Sequence, residues 1–396
     1  MDYKRYFFLC VCLIVFILNS YSNFFGLIRE DKFDGFDLVD ESLITGRLAK
    51  SEKDGIFSEA GFPGVNYDKE TVVAKNIDKL SMKDRNEVVF EVRSSQLSYY
   101  AGEEKTPQEF FPYLSQTGGQ GIFFSCLSKI SPFDNLTNFK IFKFINVLLL
   151  AICFVLFISW CYRNFSFLSA FAVFFFLSVS PFVINIGSLI WWSLWALYLP
   201  FITVLLLMEK KYNYPQSLSY LRILILTSLA FFVKCIFTGF EFAPTIVFSI
   251  LPPVVYYFYL KKETISSFLI FSFKMMVSSA IACSAGMAVL ITQLRFYFGN
   301  WPEALDYIVS SFLRRASFEH TENVMPENAL FLIFKKYLKG NAFDLYFLEK
   351  WNISVPYIAV FALVFLSVVV VFWYYKKKNP DRKYAALLLT FFLSFV

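Results

Sequence analysis

Apolar residues fall in long blocks, split by short charged breaks and by two long polar stretches. The blocks run over 6–28, 142–161, 165–186, 189–208, 221–239, 242–260, 265–291, 355–375 and 383–396. All but the last exceed the roughly 18 residues at which an apolar run reads as a membrane-spanning helix. The pattern therefore predicts an all-α polytopic membrane protein with about nine spans. The segments are a first transmembrane helix at 1–28, a first outer loop at 29–141 and spans two to seven at 142–291. A second outer loop follows at 292–354, with its polar part at 295–354, then spans eight and nine at 355–396. The last block ends at Val396 without a polar flank, so the C-terminus is expected to be truncated within a helix.

The first block has two readings. Ser20 and Ser22 have the size and spacing of a leader cleavage site. Apolar character resumes at Phe24-Phe25-Gly26-Leu27-Ile28, however, which favours one retained span of about 22 residues. Orientation follows from the basic residues. With the N-terminus inside, the cytoplasmic turns hold Arg163, Lys210 with Lys211, Lys261 with Lys262, and Lys376 to Lys378 with Arg382 and Lys383. Each short turn on that side is basic, as expected of cytoplasmic loops.

Composition agrees. The chain is 57% hydrophobic and 17% charged, with 52 Phe and a mean hydropathy of +0.54. Soluble domains are about 25% charged, so a soluble single-core enzyme and a disordered chain are excluded. The net charge of +6 is spread over the short turns, and nucleic acid is not an expected partner. Between Asp31 and Phe110 there are 17 acidic and 11 basic residues, so the first long loop is not a basic arm for anionic lipid. The seven cysteines show no CxxC spacing and only Cys126 lies in the long loop, so neither a structural disulfide nor a zinc site is expected there. His320 is the sole histidine, which excludes a two-histidine metal centre.

Three places carry candidate chemistry. Lys234 stands inside an apolar block, and Glu241 follows seven residues later at the outer turn. Ionisable groups in a span cost about 2.5 kcal/mol or more and are functional candidates by default. The pair reads either as one buried ion pair or as a phosphate-facing Lys234 oriented by Glu241. Arg295 closes the seventh span on the outside, against the charge bias, and is a second candidate for binding phosphate. Asp34, Asp37, Asp40 and Glu41 crowd the start of the first outer loop. Asp40 reads as the N-cap of a helix over Ser42 to Lys50, or as a general base. The spacing of the four carboxylates is not that of an EF-hand. In the second loop, Phe331, Phe334 and Leu338 share one face of a helix-like stretch over Glu327 to Leu338. That stretch is expected to lie in the membrane interface or to pack on the other loop.

This order of features resembles the GT-C class of integral-membrane glycosyltransferases, in the branch of protein mannosyltransferases and aminoarabinose transferases. The matching residues are Asp40-Glu41 after the first span, Leu43 to Lys50, Gly61-Phe-Pro-Gly64, Gly119 to Ser125 before Asn138 to Asn146, and Ser178 to Ile186. The likeness covers residues 1–260. The spacer before Asp40 is longer than usual. Gly187-Ser-Leu-Ile-Trp-Trp replaces an acidic residue often found after the third span, which argues against metal dependence and for a divergent subfamily.

The resemblance implies transfer of a sugar from a polyprenyl-phosphate donor to a glycan, lipid or protein acceptor at the outer face of the plasma membrane, without a cofactor. Asp40 would act as base with Glu41 as helper, Lys234 and Arg295 would hold the leaving phosphate, and Glu241, Trp191 and Asp37 would line the substrate. Trp191, Trp192 and Trp195 also read as interfacial anchors. A transporter or flippase, or a polymerase of lipid-linked glycans, is the alternative.

Overall fold

The computed structural model describes residues 3–28, 41–67, 89–103, 109–316, 339–347 and 351–359, with scattered positions from 362 to 390. In chain order the elements are α1 (Tyr3–Ser22), α2 (Ser42–Asp54), a 3-10 turn (Ser58–Gly61), β1 (Gly64–Tyr67), α3 (Gln96–Ala101) and β2 (Glu109–Pro112). Then come α4 (Gly119–Ile130), α5 (Asn135–Asn164), α6 (Phe167–Ser178), α7 (Pro181–Gly187) and α8 (Leu194–Asn213). The remainder is α9 (Tyr220–Thr238), α10 (Ala243–Ser249), α11 (Leu251–Lys261), α12 (Ile265–Phe298), α13 (Trp301–Ala316), β3 (Asn341–Phe347) and β4 (Trp351–Pro356).

Among the described residues five stretches are long and apolar enough to cross a membrane: α1, α5, α9, α12 and the run Ala243–Lys261. The pair α6 and α7 passes as a sixth only if taken together, because it bends by 60°. The bend has a local cause. Ser180 caps α7, accepting the Val183 N–H, and Pro181 occupies the first turn, where its missing N–H costs nothing. Pro252 and Pro253 likewise open α11 and divide it from α10. α8 begins only at Leu194, after a turn in which Ser193 has φ +38°, and its last turn carries Glu209, Lys210 and Lys211. The expected spans at 355–375 and 383–396 lie mostly outside the described residues. The described residues are mostly helical, as expected of an all-α polytopic membrane protein; two short antiparallel pairs, β1 with β2 and β3 with β4, accompany the helices.

The main core joins α1, α5, α8, α9, α11 and α12 through residues such as Phe16, Phe154, Ile158, Tyr257 and Met275. Buried in it, the Trp160 indole donates to the Tyr257 hydroxyl at 2.7 Å, so two polar groups satisfy each other. At one end of the bundle Arg163 pairs with Glu209, and Lys261 reaches the Lys211 carbonyl at 3.5 Å. This is the basic end.

Residues 41–67, 89–103 and 109–134 build a small head on the opposite end. There α2 packs on α3, α4 and β1, and the 3-10 turn meets α12. Gly46 makes this packing feasible, because a Cβ would stand 2.2 Å from the Gly64 carbonyl oxygen. Gln96 completes the strand edge, accepting the Asn66 N–H at 2.7 Å and donating to the Asn66 carbonyl at 2.8 Å.

Beyond Gly299, α13 shows three faces. Ala304 is buried against Leu294 and Phe62, with Tyr307 and Ile308 beside it. Trp301, Leu305, Val309 and Leu313 form an exposed apolar stripe, and Glu303, Asp306 and Ser310 are exposed on a third side. The amphipathic stretch expected at Glu327 to Leu338 lies outside the described residues.

Candidate functional site

Asp37 and Asp40 lie outside the described residues. Glu41 directly precedes α2 and is buried. Its carboxylate accepts the backbone N–H groups of Ile190 and of Trp191, the latter at 3.2 Å. A negative charge at a helix start is also favoured by the helix dipole. Glu41 thus anchors the turn between α7 and α8. Both its oxygens accept from the main chain. Trp191 is drawn into the same cluster. Its carbonyl accepts from Gln120 at 3.3 Å, and its ring meets Tyr113 edge-on at 5.5 Å.

Lys234 is fully buried, as its apolar neighbours require. Its ammonium does not pair with the Glu241 carboxylate. It donates instead to the main-chain carbonyls of Gly239, at 2.8 Å, and of Glu241. The reason is the chain reversal at Gly239 (φ +62°), which turns the carbonyls after α9 back toward the helix. Lys234 therefore caps its own helix, satisfying C-terminal carbonyls that lack helical partners. Two of its three donors are spent this way. Arg295 is half-buried in the last turn of α12 and has no hydrogen bond or ion pair among the described residues.

These groups do not converge on one cavity. The segment 113–121 runs between them as a wedge. On one side Gln120 holds Trp191. On another the Thr117 hydroxyl donates to the Ile236 carbonyl at 2.7 Å, and Gly119 packs so tightly that a Cβ would lie 2.4 Å from Ile236 Cγ2. On a third the Gln293 carboxamide donates to the carbonyls of Ala60, at 3.1 Å, and Thr117, at 3.0 Å. Gln116, Gln120 and Gln293 each bury a carboxamide oxygen without a partner among the described residues. Each such orphan costs about 1–3 kcal/mol unless a ligand or water supplies a donor.

A further cavity lies where sequence reading found no signal. A groove of about 910 Å³ separates the 3-10 turn from the end of α12. Its walls include Phe57, Ile122, Val289 and Phe296, and its polar groups are Glu59, Thr292 and Gln293. Arg295 directly precedes Phe296 on α12 and lies outside the groove lining, on the flank next to Ala288.

Glu59 is held in an uncommon backbone state. Glu59 (φ +49°), Ala60 (φ +52°) and Gly61 (φ +78°) are consecutive left-handed residues. Only the glycine adopts this freely; each of the others costs on the order of 1–3 kcal/mol. Arg47 supplies the restraint. Fully buried in α2, its guanidinium donates to the carbonyls of Gly55 (3.1 Å), Ser58 (2.6 Å) and Phe62 (3.4 Å), and to the hydroxyls of Ser51 (2.9 Å) and Ser58 (2.6 Å). Burial pushes Arg47 down to about 10, opposed by Glu59 and Asp54, so it stays charged at neutral pH. Lys50 stands 3.9 Å from Glu59 and 2.7 Å from Asp54. Sequence reading passed over Arg47 and Glu59. The usable signal was the pair Gly55 and Gly61, bracketing a short acidic loop.

Chemically, the groove offers an apolar wall, one carboxylate and a carboxamide acceptor, with the Arg295 guanidinium on the flank of the same helix. No set of three or more His, Cys, Asp or Glu converges among the described residues. No protein-family model, curated protein or solved structure matches this chain.

Proposed function

We propose that this chain is a membrane glycosyltransferase that moves a sugar from a polyprenyl-phosphate donor to an acceptor, with its head and groove on the outer face of the plasma membrane. The reading extends to a nine-span GT-C-like bundle with a cytoplasmic N-terminus. One observation carries it: a single groove joins a carboxylate to an apolar wall on the helix that also bears Arg295, next to the lining residue Phe296. That combination suits an amphiphile with a long apolar chain and an anionic head. The prenyl chain would run along Val289 and Phe296, with the phosphate against Arg295. The acceptor oxygen would attack the anomeric carbon as the bond to the phosphate oxygen breaks. A carboxylate would take the acceptor proton, and the leaving prenyl phosphate would keep the electron pair. Positive charge on that flank stabilises that developing anion more than the ground state, which is where catalysis gains. Glu59 in the groove and Asp40 from the resemblance are the two candidates for the base.

A carrier of lipid-linked glycans is the second reading. It is favoured by the break between α6 and α7 and by the prolines opening α11, since discontinuous helices recur in transporters.

The test uses purified protein in nanodiscs with a panel of polyprenyl-phosphate sugars, read as release of prenyl phosphate. Loss of the base should slow turnover by about 10²–10⁴-fold. Such a loss in Glu59→Gln, with Asp40→Asn unaffected, assigns the base to Glu59; the reverse assigns it to Asp40. Arg295→Ala should raise the donor KM. Donor translocation in vesicles with no release from any donor would overturn the enzymatic reading in favour of the carrier.

A further inference from the structure

We propose that α13 lies in the headgroup layer of the bilayer, with Trp301, Leu305, Val309 and Leu313 immersed in lipid. The four residues are spaced by four and form one stripe. Each is about half exposed, at 52%, 49%, 53% and 55%. The stripe is distinct from the packed face, where Ala304 is buried and Tyr307 meets Phe298 with ring centroids 5.9 Å apart. It borders the side bearing Glu303, Asp306 and Ser310, with Leu313 and Asp306, seven residues apart, on the boundary.

Three observations name the bilayer as the occupant. First, the stripe continues an exposed apolar surface on a helix long enough to span. On α12, Phe273, Ile281, Val289 and Phe296 are exposed, and Trp301 follows two residues after Gly299 closes that helix. Second, α13 lies on a membrane and not through it. Its 16 residues rise about 24 Å, short of a hydrocarbon core of about 30 Å, and it carries acidic groups. Third, the order of faces is that of an in-plane helix: apolar stripe inward, charges outward, tryptophan at the boundary. The packed face joins Tyr297, which lines the groove, to Tyr307 and Ala304. α13 thereby braces one groove wall at headgroup depth.

The experiment places spin labels one at a time in the full chain reconstituted in phosphatidylcholine–phosphatidylglycerol vesicles. The background replaces the two exposed native cysteines, Cys10 and Cys126, with serine. Labels go on Leu305→Cys, Val309→Cys and Leu313→Cys, with Asp306→Cys and Ser310→Cys on the polar side. All five positions are exposed, so folding is not at stake. Collision with oxygen, which partitions into lipid, is compared with collision with a water-soluble nickel chelate. The expected result is an oxygen-to-nickel ratio several-fold higher at 305 and 309 than at 310, with 306 and 313, on the boundary, between them. Equal nickel access on both sides would show a helix in water. Protection of 305, 309 and 313 from both reagents would show a protein cover, either a second copy or another part of the chain. Either outcome overturns the proposal.

Discussion

Replacing Arg47 with methionine tests whether the groove wall is latched from behind. The substitution keeps the bulk of the buried stem and removes the guanidinium. The carbonyls of Ser58 and Phe62 then lose their donor, and the Gly55 carbonyl and the Ser51 and Ser58 hydroxyls each lose one hydrogen bond. Hydrogen bonds from a charged group are worth about 1.5–3 kcal/mol each but do not add. Removing one member of a buried charged network costs about 3–5 kcal/mol. The left-handed pair Glu59 and Ala60 pulls in the same direction once the latch is gone, because relaxation relieves its strain. The free energy of opening residues 55–62 should therefore fall by about 3 kcal/mol, or more than 100-fold in exchange rate at roughly 1.4 kcal/mol per decade. Hydrogen exchange read by mass spectrometry in nanodiscs measures this. The reporters are the amides of Gly55, Ser58 and Phe62, which donate to Ser51, Gly55 and Glu59. Arg47→Lys should fall between, since one ammonium cannot span both sides of the loop. Unchanged protection at 55–62, or equal loss of protection across α1 and α5, would refute the latch.

Three other outcomes are expected. Glu41→Gln exchanges one acceptor of the α7–α8 turn for an amide donor facing an N–H, so it should cost about 1–3 kcal/mol; a lower thermal midpoint with faster exchange at Ile190 and Trp191 reads it, and an unmoved midpoint contradicts the anchoring role. Gly119→Ala should destabilise by about 1–3 kcal/mol through overpacking, since the new Cβ would meet the Ile236 carbonyl oxygen at 2.7 Å; denaturant titration measures the loss. Burial pushes the Tyr100 phenol up to about 12. The unfolded chain then loses its phenolic proton first, near pH 10, so this contribution is intact below about pH 10 and fades as pH rises toward 12. Tyr100→Phe should flatten that part of the stability profile, and equal slopes for both chains would contradict it.

The membrane-embedded character was plain from block lengths, because hydropathy alone sets whether a helix can sit in lipid. The fine structure of the blocks was not. Averaging over 165–186 hid the break at Ser180 and Pro181, although those residue types mark a helix start. The apolar setting of Lys234 signalled its burial, yet spacing alone pointed to the Glu241 carboxylate. The actual acceptors are carbonyls, and only the reversal at Gly239 brings them into reach. Glu41 meets Ile190, 149 residues away, and no local pattern encodes such a contact. The pairing of β1 with β2 is hidden for the same reason. Arg47 reads as a surface residue on a short amphipathic helix until the loop it grips is folded over it.

The wedge at 113–121 has a temporal consequence. Its partners come 71 residues later at Trp191, 119 later at Ile236 and 176 later at Gln293. At a synthesis rate of about 5–20 residues per second, Thr117 waits roughly 9–35 s for its last tether to leave the ribosome. Contacts this distant in sequence also close slowly for entropic reasons. Throughout that interval the nascent head stands unsealed, its glutamines open to solvent and to proteases. Biogenesis of this protein is therefore sequential, with α12 as the keystone that arrives late.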